Sequence, residues 1–480
     1  MSHNHKQASL LDAMIPLTLL VLMLASAVVL FGGDSSYGPN QIVLIIATFV
    51  AGLVGLKNGY SWKEIEKAMI NGISLSMGAI FILLAVGSLI GTWLAAGTVP
   101  TLIYFGLQVL SPDWFYAAAC LVSAIVAMSI GSSWTTAATV GVALMGIATG
   151  IGMSPAIAAG AVVSGAYFGD KISPLSETTN LAPAVAGSEL FEHIRHMLWT
   201  TVPAFVVTMI IFTIIGFTSV VDAENIAIDE VQNTILSIYD ISIIHLLPLV
   251  VLIAMAAKKV PAFPAIFIGA LIGAVWAMVF QADLLTDLSG GEGFIAKFSV
   301  VWVAMYDGFS IKTGSDSMDS LLSGGGMSSM LNTTWLIMTA LMFGAVMEKL
   351  GLLAVFVKGI LKTAKTSGSL ITSTIFTAFG VNLVTADQYM SIVMPGRMYR
   401  EEYERRGLAN VNLSRALEDG GTITSPLIPW NTCGAYMAGV LLISPLEYWY
   451  FAFFNLLNPI FAIAFALLGI KVLKAKVAPQ

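Results

Sequence analysis

The chain has 480 residues, of which 57% are hydrophobic and only 10% charged, with a formal net charge of −6 and a mean hydropathy of +0.86. This composition lies far from that of soluble globular domains and predicts an all-α polytopic membrane protein, with no role in binding nucleic acid. Cys120 and Cys433 both lie in apolar sequence, so buried free thiols are expected rather than a disulfide.

Several apolar windows are long enough to cross a bilayer, which takes about 20 helical residues. The first is expected to be a retained span, because only Lys6 precedes it and no small-x-small cleavage site follows. The amphipathic piece from Ser61 to Asn71 predicts an interfacial helix lying along the membrane. The windows are 14–31, 41–56, 73–95, 199–221, 241–256, 262–280, 330–347 and 447–470.

The charges are distributed unevenly between the connecting segments. Segments 32–40, 222–240 and 281–292 contain acids but no Lys or Arg, whereas 17 of the 22 basic residues fall in five other segments. Those five are 57–67, 258–259, 349–365, 397–415 and 471–476. The positive-inside rule therefore places the basic segments and the carboxyl terminus in the cytoplasm.

The first polar interruption runs from Gly169 to Asn180 and contains Ser-Pro-Leu at 173–175. Proline cannot donate a backbone hydrogen bond and pushes the residue before it out of the helical region, so a broken transmembrane helix is expected here. The interruption offers oxygen ligands of the kind that hard cations such as Na⁺ prefer. The candidates are Asp170, Ser173, Glu177, Thr178 and Asn180.

Asp170 is the leading candidate, because a carboxylate inside a membrane helix is costly unless it is paired, protonated or bound to a cation. The structural alternative is an ion pair of Asp170 with Lys171 or with a distant Arg. Adjacent helical residues point about 100° apart, which argues against a direct pair with Lys171. His193 and His196, three residues apart beside Glu189 and Glu192, lie at the polar start of a helix, and a metal site there is disfavoured.

A second polar interruption, from Asp419 to Thr432, repeats the order of an acid, Ser-Pro-Leu, Asn and Thr. Upstream of each interruption lies a polar hairpin sequence, and Thr136-Ala137 and Thr385-Ala386 stand 37 and 40 residues before the two Ser-Pro-Leu motifs. Asp387 follows the second of these and is expected either to bind a cation or to cap the helix that begins near Gln388. The further candidates from these regions are Thr135, Thr136, Thr385, Asn431 and Thr432. Glu418 and Asp419 are as compatible with a cytoplasmic ion-pair cluster around Arg415 as with a role in the site.

The pattern predicts two inverted repeats, each with a re-entrant or paired-helix hairpin and a broken transmembrane helix. The first repeat, with scaffold spans at its amino-terminal end, covers residues 1–221, an external linker covers 222–240, and the second repeat covers 241–480.

The run from Gly131 to Gly187, above all the motif at 169–183, resembles the NhaC family of sodium/proton antiporters, which also includes malate/lactate antiporters coupled to sodium and protons. The hairpins are also similar to those of the wider ion-transporter superfamily, although its Ser-Asn-Thr tips are not reproduced at 132–136 or 382–385. The resemblance implies a multi-pass protein of the bacterial cytoplasmic (inner) membrane with no cofactor, and a homodimer is compatible with it. It implies transport of Na⁺ and H⁺, with Na⁺ at Asp170, Glu177, Asn180 and Asp387.

Exchange of Na⁺ for H⁺ by alternating access is therefore the expected function. The alternative is organic-anion exchange coupled to Na⁺ and H⁺, with Lys171, hydroxyl groups or helix amino ends holding a carboxylate. An aspartyl-protease dyad of Asp170 and Asp387 is disfavoured, because Tyr167 replaces the glycine that the protease motif needs two residues before Gly169. A passive channel would be recognised by currents that exceed carrier turnover.

Overall fold

The computed structural model describes residues 5–109, 111–219, 228–258 and 260–475. Throughout these ranges the chain is almost entirely helical, and its only strand-like pairings are two isolated bridges. Eight described helices are long and apolar enough to cross a membrane, or ten spans result if each of two bent helix pairs counts as one. The prediction of an all-α polytopic membrane protein is therefore confirmed.

The part of the chain before residue 220 contains ten α-helices. A π-helical segment, Ala137–Gly141, joins α6 to α7, so residues 133–150 run without a break. Helix α5 is a span outside the windows marked from the sequence. The helices are α1 Leu10–Phe31, α2 Pro39–Lys57, α3 Trp62–Ala95, α4 Thr98–Val109, α5 Pro112–Ile130, α6 Ser133–Thr136, α7 Val142–Gly150, α8 Pro155–Ile172, α9 Glu177–Ala186 and α10 Leu190–Thr218.

The expected interfacial helix at 61–71 is not a separate element. Ser61 caps α3 in a capping box with Glu64, and the helix then continues for 34 residues into the apolar span. No proline interrupts it, and Gly72 lets α3 approach the backbone at Leu341 of a later helix. The polar first turns are thus an extension of the third span.

The rest of the described chain contains fourteen further α-helices. Residues 222–227 of the predicted external linker lie outside the described residues, and the linker's later part forms α11. Two helix pairs are bent, α11 with α12 by 89° and α23 with α24 by 57°. The helices are α11 Ile228–Ile238, α12 Leu247–Ala257, α13 Ala262–Phe280, α14 Ala282–Ser289, α15 Phe294–Tyr306, α16 Asp316–Leu322, α17 Leu331–Lys349, α18 Leu352–Thr363, α19 Ser367–Thr385, α20 Gln388–Arg405, α21 Asn410–Leu417, α22 Thr432–Leu441, α23 Pro445–Tyr448 and α24 Phe453–Leu467.

Close packing of α8 on α5 holds the first broken helix in place. Gly165 and Gly169 lie one turn apart on α8, and a side chain on either would run into the backbone of α5 at Cys120 or Ala124. Small residues at this spacing let membrane helices approach closely. The close contact fixes the end of α8 and the position of Asp170, the residue after Gly169. Cys120 and Cys433 are buried free thiols, as expected.

Helices α3, α13 and α17 pack together as a scaffold beside the two interrupted regions. On the other side, α19, α20 and α24 surround the second interruption. One large apolar core links the scaffold to the first interruption, and a smaller core, which includes Leu370, Tyr399 and Leu413, lies among α9 and α19–α21. The polar interruptions therefore lie between packed helices rather than on the lipid-facing surface.

Candidate functional site

The first interruption is a true break between two helices. Helix α8 ends at Ile172, Ser173 is extended, and α9 begins at Glu177 with Ser176 as its cap. Asn180 Nδ2 reaches back across the break and donates to the carbonyl oxygens of Pro174 and Ser176 at 2.9 and 2.7 Å. The amide oxygen of Asn180 is thereby left for another partner.

The hairpin upstream of this break contacts Asp170 directly. Helix α5 ends at Gly131 in the left-handed conformation, with φ 77°, and Ser132 then caps α6. The backbone N–H and hydroxyl of Ser133 donate to Asp170 Oδ2 at 3.1 and 2.7 Å. Asp170 is therefore held by the first turn of the helix that follows the hairpin, a favourable position for a negative charge.

The second hairpin turns in the same way. Helix α19 ends at Ala386, which adopts the left-handed conformation with φ 57°, and Asp387 Oδ1 accepts a 2.8 Å hydrogen bond from Met390 N at the start of α20. The predicted helix cap at Asp387 is confirmed. Thr136 and Thr385, which align in sequence, do not occupy equivalent positions in the structure. Thr136 follows the turn of the first hairpin, whereas Thr385 precedes the turn of the second.

A cavity of about 660 Å³ lies between the two hairpins, the first break and the scaffold helices. Its lining includes all three acids expected to act in transport, and among the residues that the structure describes no Lys or Arg lines it. Seven of the eleven candidate residues line it: Thr135, Asp170, Glu177, Thr178, Asn180, Asp387 and Thr432.

The other four candidates are engaged elsewhere. Each uses its side chain in a local hydrogen bond and none lines the cavity, which makes them supports of the backbone around it. Their partners are Leu175 N for Ser173 Oγ, Ser132 O for Thr136 Oγ1, Val381 O for Thr385 Oγ1, and Asn382 Oδ1 and Cys433 N for the Asn431 amide.

Five helices begin at the cavity wall, namely α6, α9, α13, α20 and α22. The partial positive charge of a helix amino end stabilises a nearby carboxylate, and Asp170, Glu177 and Asp387 lie at three of these ends. The arrangement places three acids in a cavity between apolar helices, with no basic side chain in the described part of its wall. Such a cavity favours a cation.

The three acids share the cavity without forming a compact cage. In the described ranges no group of three or more His, Cys, Asp or Glu side chains is close enough to hold a metal ion. A cation here would bind one carboxylate together with hydroxyl, amide or backbone oxygens. Loose coordination of this kind suits an ion that is transported rather than retained.

A model of the Na⁺/H⁺ antiporter family matches residues 165–470, which include the first break, the second hairpin and the second interruption. The chain belongs to the Na⁺/H⁺ antiporter family. The antiporter is 38% identical to the Na⁺/H⁺ antiporter NhaC of Alkalihalophilus pseudofirmus, over 96% of this chain and 97% of that protein. It is 39% identical to the malate-2H⁺/Na⁺-lactate antiporter of Bacillus subtilis over 85% of each chain, and 36% identical to the arginine/ornithine antiporter ArcD of Halobacterium salinarum over 97% of this chain and 93% of that protein. The family is one of transporters, not enzymes.

Two residues of the antiporter's site were missed from the sequence. Ser133 binds Asp170, as described above, and the hydroxyl of Tyr389 donates to Glu177 Oε2 at 2.5 Å. The second contact joins α20 to α9 across the cavity. The position of Tyr389, two residues after Asp387 at the hairpin, is the only signal that could have indicated it.

Lys171 of the antiporter does not line the cavity. Its ammonium group forms a fully buried ion pair with Asp419 of the second interruption. The expected alternative, a pair of Asp170 with Lys171, is therefore wrong, and so is the suggestion that Lys171 holds an organic carboxylate in the cavity.

The suggested cytoplasmic ion-pair cluster of Glu418 and Asp419 with Arg415 is also wrong. All three side chains are fully buried, and Arg415 Nη1 lies 3.3 Å from His196 Nε2 instead of contacting either acid. His196 in turn lies between the carbonyl oxygens of Val411 and Lys471. These contacts tie α10 to α21 and to the carboxyl-terminal segment, and within the described residues they leave no metal site at His193 and His196.

Proposed function

We propose that this antiporter exchanges Na⁺ for H⁺ by alternating access at the cavity between the two hairpins. The observation that carries the proposal is the convergence of Asp170, Glu177 and Asp387 on one cavity wall, in whose described part no basic residue lies. Na⁺ and H⁺ compete for the same carboxylate oxygens, because a proton removes the charge that attracts the cation. This competition couples the two ions in opposite directions.

Asp170 is the proposed central ligand. It is buried, and its Oδ2 atom is oriented by Ser133, so the carboxylate is held toward the cavity by the protein itself. Thr135, Thr178, Asn180 and Thr432 supply neutral oxygens nearby. Asp387 is fixed as a helix cap, and we assign it to the same ion path because it shares the wall.

Two inverted repeats, with the boundaries given above, are part of the proposal. In support, each hairpin turns at a left-handed residue followed by a capping side chain, and each tip contacts the interruption of its own half. Gly131 packs on the backbone at Leu175 and Ser176, and the Ala386 carbonyl accepts from Thr432 N at 2.9 Å. We further propose that the chain resides in the cytoplasmic membrane with its carboxyl terminus inside, and that hairpins and breaks move against the scaffold of α3, α13 and α17.

The test is a transport assay with the purified full-length protein in sealed vesicles. An outward or inward Na⁺ gradient should move protons in the opposite direction, and K⁺ at the same concentration serves as the control. Vesicles in which a Na⁺ gradient fails to move protons at every pH between about 6 and 9 would contradict the proposal.

A second candidate is exchange of an organic anion together with Na⁺ and H⁺. A cavity of about 660 Å³ is much larger than one Na⁺ needs, and five helix amino ends at its wall could hold a carboxylate. Two relatives are named as antiporters of organic substrates. Uptake of labelled malate, lactate or arginine into the same vesicles distinguishes the candidates, since bare cation exchange requires none of them.

A further inference from the structure

A buried charge cluster lies directly behind the cavity wall and consists of Lys171, Glu418 and Asp419. Lys171 follows Asp170 at the end of α8, and consecutive helical residues point in different directions. Asp170 therefore faces the cavity while Lys171 faces the second interruption. All three side chains of the cluster are fully buried.

Within the cluster, the negative charge of Asp419 is fully compensated. Its Oδ1 atom contacts the Lys171 ammonium group and accepts a 2.7 Å hydrogen bond from Asn458 Nδ2, and Thr200 Oγ1 donates to Oδ2 at 3.2 Å. Lys171 is thereby committed to Asp419.

Glu418 has no such compensation. Neither of its carboxyl oxygens has a hydrogen-bond partner. The charged groups that act on it are Lys171, Asp170 and Asp419, with the Thr422 hydroxyl beside it. Arg415, one turn earlier, points toward His196 and the Lys471 carbonyl, and its charge acts on Asp419.

The helices packed around Glu418 bring no further cation near it. Helices α19 and α24 contain no charged residue, and α9 contains only Glu177. From α20 the neighbour of this segment is Ser391, and from α10 the buried His193 faces Lys171. The cluster thus has one committed cation for two acids. An ionised carboxylate buried without a partner costs several kcal/mol, so this environment keeps Glu418 as the neutral acid.

We propose that Glu418 is a proton-carrying residue of the exchange, which holds its proton in this conformation and releases it when Na⁺ reaches Asp170. The negative charge of Asp170 opposes ionisation of Glu418, and Na⁺ bound at Asp170 removes that opposition. The O–H bond of Glu418 then breaks and the proton passes to water on the side to which the site is open. Glu418 begins a π-helical segment, Glu418–Thr422, where the regular backbone hydrogen bonding of the helix is interrupted. The inference rests on the proposed Na⁺/H⁺ exchange.

The experiment compares the full-length protein, its Glu418→Gln variant and a Glu447→Gln control in sealed vesicles. The glutamine side chain is not charged and has nearly the shape of the protonated acid, whereas Glu447 is an exposed acid of the same half outside the cavity. Two rates are measured: proton movement driven by a Na⁺ gradient, and exchange of labelled for unlabelled Na⁺ without a pH gradient. Only the first requires a proton to be carried.

In Glu418→Gln we expect proton movement to fall at least about tenfold while Na⁺–Na⁺ exchange stays within about twofold of the parent. The control should match the parent in both rates. Unchanged proton movement in Glu418→Gln would overturn the role of Glu418 but leave the proposed function standing. Equal loss of both rates would assign Glu418 a structural role instead. Absence of Na⁺-driven proton movement in the parent would overturn the proposed function itself.

Infrared difference spectra provide a readout that does not require the variant to transport. Adding Na⁺ to the parent protein should reduce the carbonyl absorption of protonated carboxyl groups, and the reduction should be smaller by one carboxyl group in Glu418→Gln. A parent spectrum without any such reduction would contradict proton release from Glu418.

Discussion

The two interruptions of the antiporter have similar sequences and different environments. The first, at residues 169–180, presents Asp170, Glu177 and Asn180 to the cavity. In the second, at 419–432, Asp419 is paired with Lys171, and Asn382 Nδ2 donates to Gly421 O, Thr424 Oγ1 and Ser425 Oγ. Several polar groups of the first interruption face the cavity, whereas most of those in the second bond to one another or to neighbouring helices.

The comparison shows that a duplicated polar motif need not give a duplicated binding site. A buried hydrogen-bond network that satisfies all its members makes a segment rigid, and the same residue types left open to a cavity make it a ligand set. We therefore expect substitutions in the first interruption to affect transport and those in the second, apart from Thr432 at the cavity, to affect stability.

The largest effect on transport is expected from Asp170→Asn. Asn retains an oxygen that accepts from Ser133 but removes the charge that attracts Na⁺, so exchange should fall at least about 100-fold, equivalent to about 3 kcal/mol of lost interaction. Asp387→Asn, which keeps a cap for α20, should lower exchange similarly. Initial rates of Na⁺-driven proton movement provide the measurement.

Thermal unfolding of both variants in detergent provides the control, and their midpoints should remain close to that of the parent. Full exchange activity in either variant would remove that residue from the ion path. A large drop in midpoint would instead show that the carboxylate is mainly structural.

The largest effect on stability is expected from Lys171→Met. It leaves Asp419 buried without its cation, which should cost about 3–5 kcal/mol of folding free energy. Adding Asp419→Asn should recover most of this loss, because an amide oxygen in place of Oδ1 still accepts from Asn458 and the amide NH2 in place of Oδ2 can donate to the Thr200 hydroxyl. If the double variant is no more stable than Lys171→Met, the ion pair is not the source of the effect.

The sequence was sufficient to predict the membrane-spanning character, the first break, the hairpin turn at Asp387 and seven residues of the cavity lining, because these depend on local features such as apolar length, proline and helix caps. It could not show that Lys171 pairs with Asp419, since that contact joins residues 248 positions apart. The separate helix expected at 61–71 was wrong because capping by Ser61 starts a helix that nothing ends before the span.

Only the structure separated the candidate residues that line the cavity from those that do not. Asn431 and Thr432 are neighbours in sequence, but Asn431 Nδ2 donates to Asn382 Oδ1 while Thr432 lines the cavity. Which neighbour faces the cavity depends on the exact end of a helix, and sequence patterns give helix ends poorly.

Asn431→Ala tests the supporting role of the second interruption. It removes the cap of α22 and leaves Asn382 with an unpaired buried oxygen, so a loss of about 1–3 kcal/mol in stability is expected. The apparent Na⁺ affinity of the folded fraction should stay near that of the parent. A clear fall in affinity with unchanged stability would instead make Asn431 a ligand.

Tyr389→Phe should have a smaller effect, in the opposite direction. The Tyr389 hydroxyl donates a hydrogen bond to Glu177 Oε2, and removing the hydroxyl leaves this oxygen available to Na⁺. The apparent Na⁺ affinity should therefore rise about threefold, a change within the free energy of one hydrogen bond. Tyr450→Phe, at an exposed position outside the cavity, is the matched control. Lower affinity in Tyr389→Phe would mean that the hydroxyl itself is a ligand.

The smallest effect is expected outside both interruptions, at Glu402 in the basic segment. Hydrogen bonds and charge from Arg405 and Arg406 lower the pKa of Glu402 to about 2, from an ordinary value of 4.5. A carboxylate whose pKa is depressed on folding stabilises the protein above its unfolded pKa, and this contribution is lost as the pH falls through 4.5 toward 2. Because the group is near solvent, Glu402→Gln should lose at most about 1 kcal/mol at neutral pH. The unfolding midpoint of the parent should therefore exceed that of Glu402→Gln by a small, constant amount above about pH 5.5. The two midpoints should converge as the pH is lowered. A difference that grows on acidification would show that Glu402 is not stabilised by these arginines.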